Sequence, residues 1–98
     1  MKAKVSVAII TYNQESFLRE TLDSVVSQVV SFPIEIVIGD DGSTDGTQDI
    51  IKDYHKRFPD LFVPILNETN IGAGANYKKV IEACSGEYVA HLDGDDLM

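Results

Sequence analysis

Ile34-Glu35-Ile36-Val37-Ile38-Gly39-Asp40-Asp41-Gly42-Ser43 decides how this chain is read. Its first half is a run of β-branched apolar residues, the composition of a strand buried on both faces. Its second half is glycine, paired aspartates and serine, which form a loop and not a continued strand. Beyond it, from about Asp45 to Arg57, Ile50, Ile51, Tyr54 and Phe58 recur at helical spacing. Thr44 or Asp45 is placed to cap that helix, and Pro59 ends it. Strand, acidic loop and helix together make one β-to-α step.

The same step repeats on either side. Val5 to Ile10 is a second β-branched run, ended by Thr11-Tyr12-Asn13. A helix from Ser16 to Gln28 follows, with Phe17, Leu18, Leu22, Val25 and Val26 on one stripe, and Phe32-Pro33 breaks the chain after it. Downstream, Leu61 to Leu66 reads as a strand and Asn67 to Gly74 as a loop. Gly72-Ala73-Gly74 lets the chain turn into a helix from about Ala75 to Cys84, with Tyr77, Val80, Ile81 and Cys84 inward. Gly86 stands where a helix C-terminal glycine belongs. Glu87 to Leu92 is the fourth strand, and Asp93-Gly94-Asp95-Asp96 follows it directly. The order βαβαβαβ over residues 1–98 predicts one α/β domain with a mainly parallel sheet and helices on both faces.

Composition narrows the partners. Sixteen acidic residues against eight basic ones give a net charge of -8, which argues against nucleic acid or an anionic membrane as direct partners. The single cysteine, Cys84, forms no internal disulfide, fits a reducing, cytoplasmic compartment, and reads as a small core residue. The N-terminus lacks the pattern of a signal peptide, and no apolar run approaches the ~20 residues that span a bilayer.

In a parallel sheet, ligands bind at the edge formed by the strand C-termini. Thr11-Tyr12-Asn13, Asp40-Asp41-Gly42-Ser43 and Asp93-Gly94-Asp95-Asp96 would all lie there. With strand order 3-2-1-4, Tyr12 and Asp93 would face each other across a crevice, with Asp41 one strand away. Clustered carboxylates repel unless a cation compensates, and Mg²⁺ or Mn²⁺ takes hard oxygen ligands together with substrate phosphates. Other motifs fail on detail. The calcium-loop match starting at Asp41 has Lys52 where a bidentate Glu is needed, and a dinucleotide fingerprint would need glycines where Thr11-Tyr12-Asn13-Gln14 stands. His55 reads as solvated and His91 as structural.

These stretches, with Asn70-Ile71-Gly72 and Gly86-Glu87-Tyr88-Val89, occur in the order and spacing that resemble family-2 glycosyltransferases of the GT-A fold, a Rossmann-like architecture. The resemblance spans the whole chain, and implies that residues 1–98 are the N-terminal, nucleotide-sugar-binding part of such a domain, without its acceptor-binding part. It implies that Thr11, Tyr12 and Asn13 contribute to nucleotide binding at the end of the first strand. It implies that Asp41 hydrogen-bonds the base, usually uracil, and that Asp93 holds the ribose. Asp95 would bind the Mn²⁺ or Mg²⁺ that bridges the donor diphosphate, with Asp96 behind it, while Gln28 and Asp45 would be structural. The partners implied are a nucleotide-diphospho-sugar donor and a glycan or lipid-linked acceptor, the latter met at the inner face of the membrane. Many members carry an Arg-Asn pair in the third helix; here Asn76-Tyr77-Lys78-Lys79 stands instead, and the residue that meets the diphosphate stays open. The family's catalytic carboxylate lies well after the Asp-x-Asp motif, so the base is expected after Met98 and no residue of this chain is expected to be catalytic. The chain alone is then expected to transfer no sugar, and its last strand to leave an edge open to self-association. Two rivals are a nucleotidyltransferase-like enzyme and a metal-binding sensor domain of response-regulator type. The first wants a glycine-rich basic loop after the first strand, and the second an acidic pair there; Asn13-Gln14-Glu15 is neither.

Overall fold

A computed structural model describes residues 5–28 and 34–93. The elements run β1 (Val5–Thr11), α1 (Glu15–Ser27), β2 (Ile34–Asp40), α2 (Thr47–Arg57), β3 (Phe62–Leu66), α3 (Ala73–Ala83) and β4 (Tyr88–Asp93). All three strand pairings are parallel and the order is β3-β2-β1-β4, as the crevice between the first and fourth strands required. The predicted break at Phe32-Pro33 lies outside the described residues, as do Asp95, Asp96 and Met98.

The two faces of the sheet are unequal. Val7 and Ile9 of β1, Ile36 and Ile38 of β2 and Phe62 of β3 pack under α1 and α2, against Leu18, Leu22, Val25, Ile50, Ile51 and Tyr54. Each such side chain contributes roughly 1.5–3 kcal/mol on burial, so this layer holds most of the apolar stability. On the opposite face, under α3, the buried apolar centre among the described residues is Ala8, Val37 and Val80. Cys84 joins this smaller cluster as a half-buried residue, and burial pushes its thiol above the ordinary value. Pro64 sits in β3, an edge strand, where its missing N–H costs no ladder bond on the open side.

Several expectations shift by a residue or change face. Phe17 is 55% exposed: the buried stripe of α1 is Leu18, Thr21, Leu22 and Val25, and Phe17 lies one residue off it. In α3 the inward positions are Asn76 and Val80, four apart, while Tyr77 turns outward and stacks on His91 of β4. Gly39 and Asp40 belong to β2 and not to the loop. The N-cap of α2 is Gly46, although Asp45 Oδ1 accepts the Thr47 amide at 2.9 Å. Gly86 does not adopt the left-handed conformation of a helix-ending glycine. It lies against β1 instead, where an added Cβ would come within 2.6 Å of the Ser6 nitrogen.

Candidate functional site

The C-terminal ends of β1 and β2 and the start of α3 enclose a pocket of about 150 Å³, lined by Ile10, Thr11, Tyr12, Gln14, Asp41, Ala73 and Asn76. Small-molecule sites usually measure ~300–1,000 Å³, so the described residues form part of the wall of a nucleotide-sized site. Thr11, Tyr12 and Asp41 come together here. Tyr12 is 48% exposed, leaving its ring open to a ligand, whereas Asp41 is 5% exposed. The Asp41 amide donates to the Thr11 carbonyl at 3.0 Å, and Asp41 Oδ1 accepts the Ile71 amide at 2.7 Å. The carboxylate is thus oriented through one of its oxygens.

The adjacent carboxylate has a different fate. Asp40 is fully buried beneath the pocket. Its Oδ1 accepts the hydroxyls of Thr11 (2.7 Å) and Ser43 (2.5 Å), and its Oδ2 the amides of Ser43 (2.8 Å) and Gln48 (2.7 Å). All four donors are neutral protein groups, so this acid is structural and is not available to a cation at the edge. The network continues through Asn67, whose side-chain amide donates to the Asp40 carbonyl and to Asn76 Oδ1, and which accepts from Lys79. Asn76 Nδ2 donates to the Gly39 carbonyl at 2.9 Å. Asn76 is therefore committed to holding α3 on β2, which leaves it poorly placed to serve a phosphate.

Asn13 sits at the pocket's edge and not in its lining. Its φ is +49°, in the left-handed region where asparagine is tolerated. Its amide donates to Ser43 Oγ at 2.8 Å, and its Oδ1 accepts the Thr44 amide at 2.8 Å. Next to it, the Gln14 amide donates to Thr47 Oγ1 at 2.9 Å and the Gly46 amide to Glu15 Oε1 at 2.8 Å. Each loop satisfies the free amides at the start of the other loop's helix, which locks the β1–α1 and β2–α2 loops together. Gly42, at φ +70°, completes the arrangement: a Cβ there would meet the Thr69 backbone at 2.4 Å.

Asp93 ends β4, and the register sets it beside Ile10, a lining residue. Asp95 lies outside the described residues, so its placement rests on the sequence. The same holds for the chain up to Met98, after which the sequence puts the base: the described residues neither supply that carboxylate nor locate it. Among the described residues no three His, Cys, Asp or Glu side chains gather as a metal cage. Gln14 and Asn67 are site residues that the sequence reading does not single out, and Asn76, read there only as a neighbour of the diphosphate, lines the pocket and holds α3 on β2. The available signal was polar residues at positions where the helical or strand pattern calls for apolar ones, as at Asn76, four before Val80.

A sequence profile of Glycosyl transferase family 2 matches residues 6–98. The chain belongs to that family. A Bacillus subtilis protein named as putative teichuronic acid biosynthesis glycosyltransferase TuaG is 43% identical over 96 residues, covering 97% of this family-2 chain and 37% of the relative. The crystal structure of S. aureus TarS 1-349 in complex with UDP superposes with a TM-score of 0.83 at 35% identity, over 96% of this chain and 28% of that one. The mannosyltransferase PcManGT from Pyrobaculum calidifontis, in complex with GDP-Man and Mn²⁺, gives 0.84 at 28% identity, over 99% and 29%. The family-2 chain thus spans between 28% and 37% of the length of these three proteins. Its sheet is the Rossmann-like part of the GT-A architecture, and the nucleotidyltransferase and sensor readings lose their footing. Among the described residues no helix is long and apolar enough to cross a membrane.

Proposed function

We propose that this chain is the donor-binding part of a glycosyltransferase that moves a sugar from a nucleotide-diphospho-sugar, a UDP-sugar foremost, to an acceptor hydroxyl with inversion. The observation that carries it is the pocket where Tyr12 and the oriented Asp41 meet at the C-terminal sheet edge, one strand from Asp93. In this reading the open Tyr12 ring and Thr11 line the base, and Asp41 accepts a hydrogen bond from it. Asp93 takes the ribose. Asn13 acts through the loop lock, holding Tyr12 relative to Asp41. The diphosphate passes the start of α3, which has no side-chain cap.

The edge fits a hard divalent ion: the pocket lining contains oxygen ligands and neither His nor Cys. Mn²⁺ or Mg²⁺ would be held by Asp95 together with the donor phosphates, the usual arrangement for an ion that keeps few protein ligands. When bound, it supplies Lewis-acid neutralisation of the departing diphosphate. Removal of the acceptor proton falls to a carboxylate beyond Met98, outside these 98 residues. The relation to TuaG supports a cell-surface polysaccharide as the product, with a glycan or lipid-linked acceptor.

Calorimetry with uridine and UDP, with Mn²⁺ or with chelator, tests the reading. UDP should bind more tightly with the metal, and uridine should be indifferent to it. Asp41→Ala should weaken both ligands by about 1.5–3 kcal/mol, the value of a hydrogen bond to a charged group. Equal UDP affinity in metal and chelator would overturn the metal assignment. An Asp41→Ala variant that loses only the metal-dependent part would move Asp41 from the base to the metal.

A further inference from the structure

Glu35 is the one charged residue in the Ile-Val run of β2, at the end of the sheet opposite the pocket. Its Oε2 accepts the Ser6 hydroxyl at 2.5 Å, the Ser85 amide at 2.6 Å and the Ser85 hydroxyl at 3.0 Å. Ser6, itself fully buried, accepts the Gly86 amide at 2.8 Å. One carboxylate therefore ties β2, β1 and the turn that starts β4. Gly86 completes the clasp, because a side chain there would strike the Ser6 nitrogen and the Val5 carbonyl carbon.

The clasp matters because burial registers β4 poorly. Tyr88 is 63% exposed and Val89 38%, and His91 is exposed as well; only Ala90 and Leu92 are partly covered. A strand whose two faces are not sharply distinguished is prone to slip. A slip of two residues keeps every side chain on its face yet moves the strand end by about 6.6 Å, twice the rise per residue. That would carry Asp93 away from Ile10. Among the described residues Leu92 packs against the main core, and the Tyr77–His91 stack is a further side-chain tether of β4, with both of its partners exposed.

We propose that Glu35 is the register lock of β4, a positioning residue that sets the end of that strand, at Asp93, against the pocket without touching the donor. This rests on the donor-binding reading above. The lock acts on the ribose and diphosphate end of the site and not on the base pocket, because Thr11, Tyr12 and Asp41 are fixed by β1, β2 and the loop lock.

The test compares Glu35→Ala, Glu35→Gln and Ser85→Ala with the unaltered chain by calorimetry and backbone amide exchange. In Glu35→Ala, uridine affinity should fall about threefold to tenfold through the lost ribose contact of Asp93, and the Mn²⁺-dependent gain in UDP affinity should fall about tenfold or more. Exchange at Val89 and His91 should quicken while Val37, in the middle of the sheet, stays protected. Glu35→Gln should recover most of the gain, since its amide oxygen still accepts the Ser85 amide. Ser85→Ala, which keeps the backbone bond, should show the same pattern more weakly, and it carries the test if Glu35→Ala does not fold. Retention of the full metal-dependent gain with β4 still protected overturns the lock. So does faster exchange throughout the sheet, Val37 included, which is general destabilisation. If the unaltered chain shows no metal-dependent gain, it is the donor reading that fails, and β4 exchange alone then decides the lock.

Discussion

Asp40 is the residue on which the pocket floor depends, and its replacement by Asn and by Ala should differ sharply. The four donors around it are of two kinds. Oδ2 faces the Ser43 amide and the Gln48 side-chain amide, which can only donate. Oδ1 faces the hydroxyls of Thr11 and Ser43, which can rotate and accept instead. Asparagine can therefore keep its oxygen toward the two obligate donors and turn its NH₂ toward the two hydroxyls. What is lost is the charge-assisted part of the bonds, about 1–2 kcal/mol in all. Alanine leaves the Ser43 amide and one N–H of Gln48, whose other N–H keeps the Asn67 carbonyl, without an acceptor in a buried place, at about 1–3 kcal/mol each, and removes the anchor of the Thr11 and Ser43 hydroxyls. The expected cost is about 3–5 kcal/mol, a large share of the ~5–15 kcal/mol that stabilises a domain.

Urea unfolding followed by circular dichroism at pH 7 measures both variants. For a chain of 98 residues each kcal/mol corresponds to roughly 4–8 °C in Tm, so thermal scans should separate Asn from Ala by about 10 °C or more. Equal destabilisation by Asn and Ala would refute the argument from rotatable hydroxyls. An Ala variant that loses under about 1 kcal/mol would show that water replaces the carboxylate, and that Asp40 is not the buried acceptor described.

Gly39→Ala should destabilise by about 1–3 kcal/mol through overpacking, because its Cβ would lie 2.4 Å from Val80 Cγ2 and 2.6 Å from Asn76 Oδ1; denaturant unfolding reads it, and a loss below about 0.5 kcal/mol would mean that α3 shifts freely on the sheet. For Glu35, burial pushes the carboxyl up, but the hydrogen bonds from Ser6, Ser85 and Gly86 outweigh it and leave it below its ordinary 4.5. A depressed folded value means stability that is complete above the unfolded value and lost as pH falls through the folded one, so Glu35→Gln should flatten the stability profile between about pH 5 and 3. Asp45 is lowered in the same way, its burial outweighed by hydrogen bonds led by Thr47, so part of the acid limb should survive the substitution.

The central strands and the two-sided sheet were legible because parallel strands covered on both faces are continuous apolar runs, and Val5–Ile10 and Ile34–Ile38 are such runs, whereas the order 3-2-1-4 entered only as a condition that the pairings meet. The helix faces were less so. A stripe drawn through apolar residues alone puts Tyr77 inside and Asn76 outside, and the structure does the reverse. Asn76 is buried because the Gly39 carbonyl and Asn67 meet its amide, a satisfaction that depends on two other elements and leaves no trace in local periodicity. Gly86 was misjudged for a related reason. A glycine after a helix suggests a left-handed turn, but the constraint here is the approach of β1, eighty residues earlier in the chain. Contacts between distant segments decide such positions, and composition does not encode them.

Asp40 and Asp41 show why the acidic loops were only half readable. In sequence they are interchangeable neighbours after a strand. In the fold, Asp40 is the last residue of β2, its side chain enclosed beneath the edge, while Asp41 is the first beyond it and borders the pocket. One carboxylate is committed to neutral donors from the end of β1, the β2–α2 loop and α2, and that commitment fixes the backbone from which the other projects. The thin apolar layer under α3 makes this necessary: with Ala8, Val37 and Val80 its buried apolar centre among the described residues, the end of the sheet cannot be held by hydrophobic packing alone. The connected polar groups Asp40, Gln48, Asn67 and Asn76 do it instead. A polar floor carries a condition that an apolar one does not, since every member must be satisfied or the whole is costly. The site therefore gains an orientation fixed before any ligand arrives, and substitutions in its floor should disturb the pocket even where they touch no ligand.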